Sequence, residues 1–187
     1  MTTTLTISGH DSSPEIAQHV RKVLIILDIN YVLGKCQTAT RFSPRPGVND
    51  FLIKLTNLVV QEKIDVAFWT SKPKETAEPI LHDLVSQALL EKTLFMWYRD
   101  SCTPTVIDGN PFHTIKDLGK VWRSFPQYTQ KNTYLVDDTP SKCPEYPGNL
   151  IVAPPYLGPR KAPHDAGLAM IYCAIMAKLK ATPEAND

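Results

Sequence analysis

Asp28, Thr70, Lys116 and the pair Asp137-Asp138 are the residues whose types and order fit phosphate chemistry. Mg²⁺ takes one or two carboxylates and fills its other octahedral positions with water and substrate oxygen. Asp28 and Asp138 are the candidate carboxylates, with Asp137 as a further ligand or a support for the other two. Thr70 offers a donor to a phosphoryl oxygen and Lys116 a point charge. Ser71 adds a second hydroxyl beside Thr70. With metal and ammonium neutralising the phosphate, Asp28 is the candidate nucleophile, attacking phosphorus to give an aspartyl phosphate. Each residue alone has a plainer reading. An Asp after a strand is commonly a turn or cap residue, Asp137-Asp138-Thr139-Pro140 is also a turn signature, and a Thr or Lys at a helix start is ordinary. Their order and shared location favour one site.

The elements that must carry them are visible as changes of period. Val23–Leu27 is a continuous apolar run, the mark of a strand buried on both faces. Residues 64–69, 133–136 and 150–152 have the same character, and 94–98 is a less regular fifth strand. Between them Val48, Phe51, Leu52, Leu55, Leu58 and Val59 recur at helical spacing, as do Ile80, Leu81, Leu84 and Val85. Leu168, Ile171, Tyr172, Ile175 and Leu179 form a last stripe. Pro73 stands where a helix starts, and Lys116-Asp117-Leu118 opens another. Alternating strands and helices with short links predict an α/β fold with a mostly parallel, doubly wound sheet. In such sheets ligands bind beyond the carboxyl ends of the strands, where all the candidate residues fall.

Composition narrows the classes. The chain has 187 residues, 43% of them hydrophobic, and a formal net charge of +1. That length suits a single domain, expected over residues 22–181 after a flexible tail at 1–21. Near-neutral charge disfavours direct nucleic-acid binding through a bulk positive field. The longest uncharged apolar stretch, 166–177, is short of the roughly 20 residues that cross a bilayer, so no membrane is expected. Cys36, Cys102, Cys143 and Cys173 form no CxxC pair, which disfavours zinc and disulfides. An intracellular setting follows, cytoplasmic or nuclear, with a mitochondrial one still open. The N-terminal 22 residues lack the apolar core of a secretory signal. No GxGxxG or P-loop follows a strand. Sixteen prolines, against a background of roughly 5%, cluster around the motifs and between Pro140 and Pro163. They predict stiff loops framing a pocket.

Taken in order, Arg45-Pro46-Gly47, Phe68-Trp69-Thr70-Ser71, Arg99-Asp100-Ser101-Cys102, Lys116-Asp117-Leu118 and Asp137-Asp138-Thr139-Pro140 resemble a known pattern. The chain resembles the haloacid dehalogenase superfamily, and within it the phosphatase group acting on the C-terminal domain of RNA polymerase II, over residues 22–157. The resemblance implies a Rossmann-like fold with a minimal cap and Asp28 as nucleophile. It implies Thr70 and Lys116 as phosphate contacts, Asp138 as a Mg²⁺ ligand and Asp137 as support for lysine and metal. The backbone carbonyl of Asn30 would complete the metal shell.

The first motif departs from this pattern. Asn30 stands where the group has its acid–base aspartate, and Val32 where it has threonine. An amide does not titrate in the working range. Two readings stay open: a pseudophosphatase that binds a protein partner or phosphoprotein, and a slow Mg²⁺-dependent phosphatase drawing its proton from solvent, substrate or Tyr31. A phosphoacceptor receiver domain fits less well, because its acidic pair precedes the acceptor strand. The stretch from Asp28 to Arg45 reads as about a dozen loop residues without the small β insert of the group, leaving the pocket open. Cys102 is expected to be buried, His113 to lie in a surface loop, and Trp69, Trp97 and Trp122 to be core or partly buried surface and not a peptide platform. Lys35, Arg41, Arg45, Lys72, Lys74, Lys116 and Lys142 lie near the strand ends, a distribution suited to drawing in an acidic, phosphorylated partner.

Overall fold

Five successive apolar residues make Val23–Leu27 (β1) a strand that has to be covered on both sides, and all five are buried. The computed structural model describes residues 22–38, 41–106, 113–160 and 165–182. The expected tail at 1–21 and Pro163 lie outside them. After β1 come β2 (Gly34–Cys36), β3 (Phe42–Pro44), α1 (Val48–Val60), β4 (Ile64–Trp69), α2 (Lys74–Leu84), α3 (Gln87–Leu90) and β5 (Met96–Trp97). The chain continues through β6 (Thr103–Pro104), β7 (Thr114–Ile115), α4 (Leu118–Ser124), β8 (Thr133–Asp137), β9 (Leu150–Val152) and α5 (Gly167–Ala181).

The main sheet has the order β5-β4-β1-β8-β9, and every pairing in it is parallel. Strand parity divides the core, since successive side chains point to opposite faces. Val23, Ile25 and Leu27 pack with α1, α2 and α5, together with Val66, Phe68 and Val136. Leu24 and Ile26 face the other way with Trp69, Leu118, Val121 and Leu135. This is the doubly wound α/β sandwich the periods imply.

Strand order also fixes where a ligand enters. The chain runs outward from β1 through β4 to β5, then crosses back to place β8 on the opposite flank of β1. The switch point lies between β1 and β8, the crevice favoured for ligands in open α/β sheets. Register does the rest. Leu27 pairs with Val136 and with Phe68, so Asp28, Asp137 and Thr70 emerge from three adjacent strands at one edge.

The structure corrects two local expectations. The Asp28–Arg45 stretch is not plain loop: β2 and β3 pair as a small antiparallel hairpin, Gly34 with Pro44 and Cys36 with Phe42. Three-residue strands are too short to announce themselves by alternation. Gly34 makes the hairpin possible, since a Cβ there would lie 2.3 Å from the Phe42 ring and 2.5 Å from the Ser43 carbonyl. The strand expected over 94–98 shrinks to β5. Leu94 and Phe95 still bond to the backbone of β4, through Leu94 N–H to the Val66 carbonyl and Phe68 N–H to the Phe95 carbonyl. Trp69 is fully buried, whereas Trp97 and Trp122 are half-buried; Cys102 is buried as expected, and the half-buried His113 lies within 3.4 Å of the Ser141 carbonyl. All four cysteines are free.

Candidate active site

Asp28 leaves β1 with its backbone N–H on the Val136 carbonyl of β8, 2.9 Å away, which holds the residue at the sheet edge. Lys116 reaches the same point from β7 and is 1% exposed. Its Nζ donates to Asp28 Oδ1 at 2.8 Å and to Asp137 Oδ2 at 2.6 Å. A buried ammonium costs several kcal/mol unless paired, and here two carboxylates pair it. Burial opposes the Lys116 charge, but Asp137 and Asp28 hold it protonated well above its usual range. The other Asp137 oxygen accepts the Thr139 N–H at 2.9 Å, so its carboxylate is fixed from both sides.

Carboxylate oxygens of Asp28, Asp137 and Asp138 lie within 4.8 Å of one another. Burial, then the neighbouring Asp137 and Asp138 charges, raise the Asp28 pKa to about 6, with Lys116 pulling it down. Burial and Asp137 likewise raise Asp138. Three carboxylates around one ammonium leave excess negative charge at a largely buried strand edge, and a divalent cation would bring the four side chains to neutrality. All donors are hard oxygens at the spacing of one ion, so the residues fit Mg²⁺. Asp28, Asp137 and Asp138 would hold it, and it would supply charge neutralisation for a bound phosphate.

The raised Asp28 pKa has a signed consequence. Between 3.8 and about 6 the folded carboxyl holds a proton that the unfolded one has lost. Its contribution to stability is therefore present at low pH and fades as pH rises through about 6. Mg²⁺ competes with that proton. We expect Mg²⁺ to raise the melting temperature more at pH 7 than at pH 5, measured by calorimetry; equal shifts at both values would contradict the assignment of Asp28 as a ligand.

The remaining site residues fall as follows. Thr70 is 2% exposed, with its N–H on the Trp97 carbonyl at 3.0 Å and its Oγ1 accepting the Lys72 N–H at 3.3 Å. It sits at the site edge and caps the turn as well. Ser71 is turned to a neighbour: its Oγ accepts from Thr114 Oγ1 at 3.1 Å. Asn30 is half-buried, and its Oδ1 accepts the Cys36 N–H of β2 at 2.9 Å. The amide thus ties the loop after Asp28 to the hairpin and brings no titratable group.

Two supports were not legible in the residue pattern. Lys142 Nζ donates to the Thr114 carbonyl at 2.9 Å and to its hydroxyl at 3.2 Å, and the Lys142 carbonyl accepts the Lys116 N–H at 2.7 Å. Burial, then the Lys116 charge, lower the Lys142 pKa. Arg45 is 2% exposed and grips Asp165 through two bonds, Nε to Oδ2 at 2.8 Å and Nη2 to Oδ1 at 2.9 Å. Burial works against the Asp165 charge, yet Arg45 and the Gly167 N–H hold its carboxyl below its usual range. A third Arg45 nitrogen donates to the Val32 carbonyl at 3.1 Å. Tyr31, whose carbonyl accepts from Arg45 Nη1 at 3.4 Å, takes φ 64, a left-handed conformation costly for a residue with a Cβ. Arg-Pro was visible as a motif; its partner lies 120 residues away.

The sheet order and the Asp28–Lys116–Asp137–Asp138 cluster define a haloacid dehalogenase-like phosphatase fold. Residues 5–185 match the model of the NLI interacting factor-like phosphatase family, and the chain belongs to that family. It is 27% identical over 123 residues to the ubiquitin-like domain-containing CTD phosphatase 1 of Drosophila melanogaster, covering 63% of this chain and 36% of that protein. The chain thus spans about a third of that relative's length. Among solved structures, the N-terminal part of BF1531 from Bacteroides fragilis, containing a phosphatase domain complexed with Mg, aligns with a TM-score of 0.54 at 12% identity. That alignment covers 89% of this chain and 42% of the other. The fission yeast RNA polymerase II CTD phosphatase Fcp1, bound to beryllium fluoride, aligns at 0.49 and 14% identity over 86% of this chain and 51% of the other. No helix among the described residues is long and apolar enough to cross a membrane.

Proposed function

We propose that this domain is a Mg²⁺-dependent phosphate-binding module for a phosphoprotein partner, with turnover impaired at the proton-transfer step. The carrying observation is the contrast within one site. Asp28, Lys116, Asp137 and Asp138 form a complete charged cluster, while Asn30 offers an amide already bonded to Cys36. Thr70 and Lys116 are the phosphate contacts in this reading, and Ser71 supports them through Thr114. Asp28, Asp137, Asp138 and the Asn30 carbonyl hold the metal. The Mg-bound neighbour and the CTD phosphatase relative support the metal and phosphate parts of this reading by likeness, while the impairment rests on Asn30 alone. An intracellular, cytoplasmic or nuclear partner suits a chain with four free cysteines.

The other reading, a working phosphatase forming an aspartyl phosphate, draws on the same intact cluster. The two separate in one assay: binding of a phosphoserine peptide and its hydrolysis, each with and without Mg²⁺. We expect Mg²⁺-dependent binding with weak hydrolysis. Robust hydrolysis abolished by Asp28→Asn would establish the working phosphatase instead.

A further inference from the structure

We propose that the partner segment is held at two points: its phosphorylated residue in the Asp28 pocket, and a second anionic side chain, phosphorylated or acidic, in the basic cleft beside the hairpin. The proposal rests on the phosphoprotein reading above and names the chemistry that segment must carry.

The cleft, about 600 Å³, lies between the β2–β3 hairpin and the loop after β9, with Lys35, Arg41 and Arg160 on its walls. Gln37 adds an uncharged donor, and no carboxylate lines it among the described residues. Elsewhere around the strand ends several cations have carboxylate partners. Lys116 has two aspartates, Arg45 has Asp165 and Lys74 has Glu78, while Lys142 is taken up by the neutral Thr114 carbonyl and hydroxyl inside the fold. In the cleft the recorded partner is a neutral carbonyl, that of Leu157, which accepts from Lys35 Nζ at 3.2 Å. Three cations gathered on one concavity repel one another until an anion enters.

Its walls are tied to the nucleophile loop. Asn30 Oδ1 holds the Cys36 N–H next to Lys35, and the Tyr31 carbonyl accepts the Tyr156 N–H at 2.8 Å, one residue before Leu157. Gly158 turns this loop at φ +100, a conformation that L side chains rarely adopt. Pocket and cleft are thus fixed relative to each other. A segment anchored in one presents its second anion to the other at high effective concentration. Single-stranded nucleic acid would call for aromatic stacking platforms, and the cleft lining has none.

The test compares binding of three fluorescent peptides of one sequence to the full chain with Mg²⁺: unphosphorylated, singly phosphorylated, and doubly phosphorylated with the second phosphate scanned along the peptide. We expect one spacing to bind about tenfold more tightly than the singly phosphorylated form at low salt, the sum of a few partly exposed ion pairs. That preference should vanish in Arg41→Glu/Arg160→Glu, both exposed positions. Equal binding of singly and doubly phosphorylated peptides at every spacing, or a preference that survives the double variant, would overturn the cleft proposal and leave the pocket standing. Equal binding of unphosphorylated and singly phosphorylated peptides would overturn the pocket reading itself. A charge-matched single-stranded RNA that binds as tightly, and is lost in the double variant, would assign the cleft to nucleic acid and overturn it too.

Discussion

With Asn30→Asp, Mg²⁺-dependent hydrolysis of a small phosphate ester is expected to rise roughly 10²–10⁴-fold, the range general acid–base catalysis supplies. The substitution keeps the shape of the side chain. One carboxylate oxygen can accept the Cys36 N–H as Asn30 Oδ1 does at 2.9 Å, so the loop-to-hairpin tie survives. The second oxygen replaces an NH₂ that cannot take up or release a proton in the working range. Asp28 and Lys116 are already paired and in place, so nothing else has to be built. If Asp28 is the nucleophile, the gain disappears in Asp28→Asn/Asn30→Asp, because the new acid then has no displacement to assist. An unchanged rate in Asn30→Asp would show that proton transfer is not the deficit.

Lys116→Met is expected to cost about 3–5 kcal/mol of unfolding free energy at neutral pH in metal-free protein, the range for breaking a buried ion pair by removing one partner. Methionine matches the length of the lysine stem, so packing with the neighbouring strands changes little. What changes is charge. Asp28 and Asp137 would face each other with the shared ammonium gone. The deficit should shrink at pH 5, where Asp28, already raised to about 6 in the natural protein, takes a proton more readily still. Mg²⁺ should also recover part of it. Denaturant unfolding at pH 5 and 7, with and without Mg²⁺, measures all three effects. A stability equal to the natural protein at pH 7 would mean that Lys116 is not what holds the two carboxylates together.

Much of the frame was legible because buried parallel strands write themselves as apolar runs. Val23–Leu27 and residues 64–69 read correctly for that reason. Asp28, Lys116, Asp137 and Asp138 come together as their order suggested, Asp28 and the acidic pair following apolar runs and Lys116 standing just before α4. Short pairings were not legible: β2 and β3 carry too few residues for a period to show, and the hairpin depends on the Phe42 ring closing over Gly34. Charge was misleading in the same way. Arg45 reads as a basic group near the pocket, but Asp165 sequesters it. Arg160, unremarked in sequence, joins Lys35 and Arg41 in the cleft.

From residue order alone come the α/β architecture, the family pattern and the amide at position 30, since each depends on side-chain type and local period. Whether Lys116 lies between two aspartates, which cations stay unneutralised by carboxylates, and what Asn30 holds depend on contacts between residues far apart in the chain. Those contacts arise when β8 crosses back beside β1, and parallel register then sets Asp28 against Asp137.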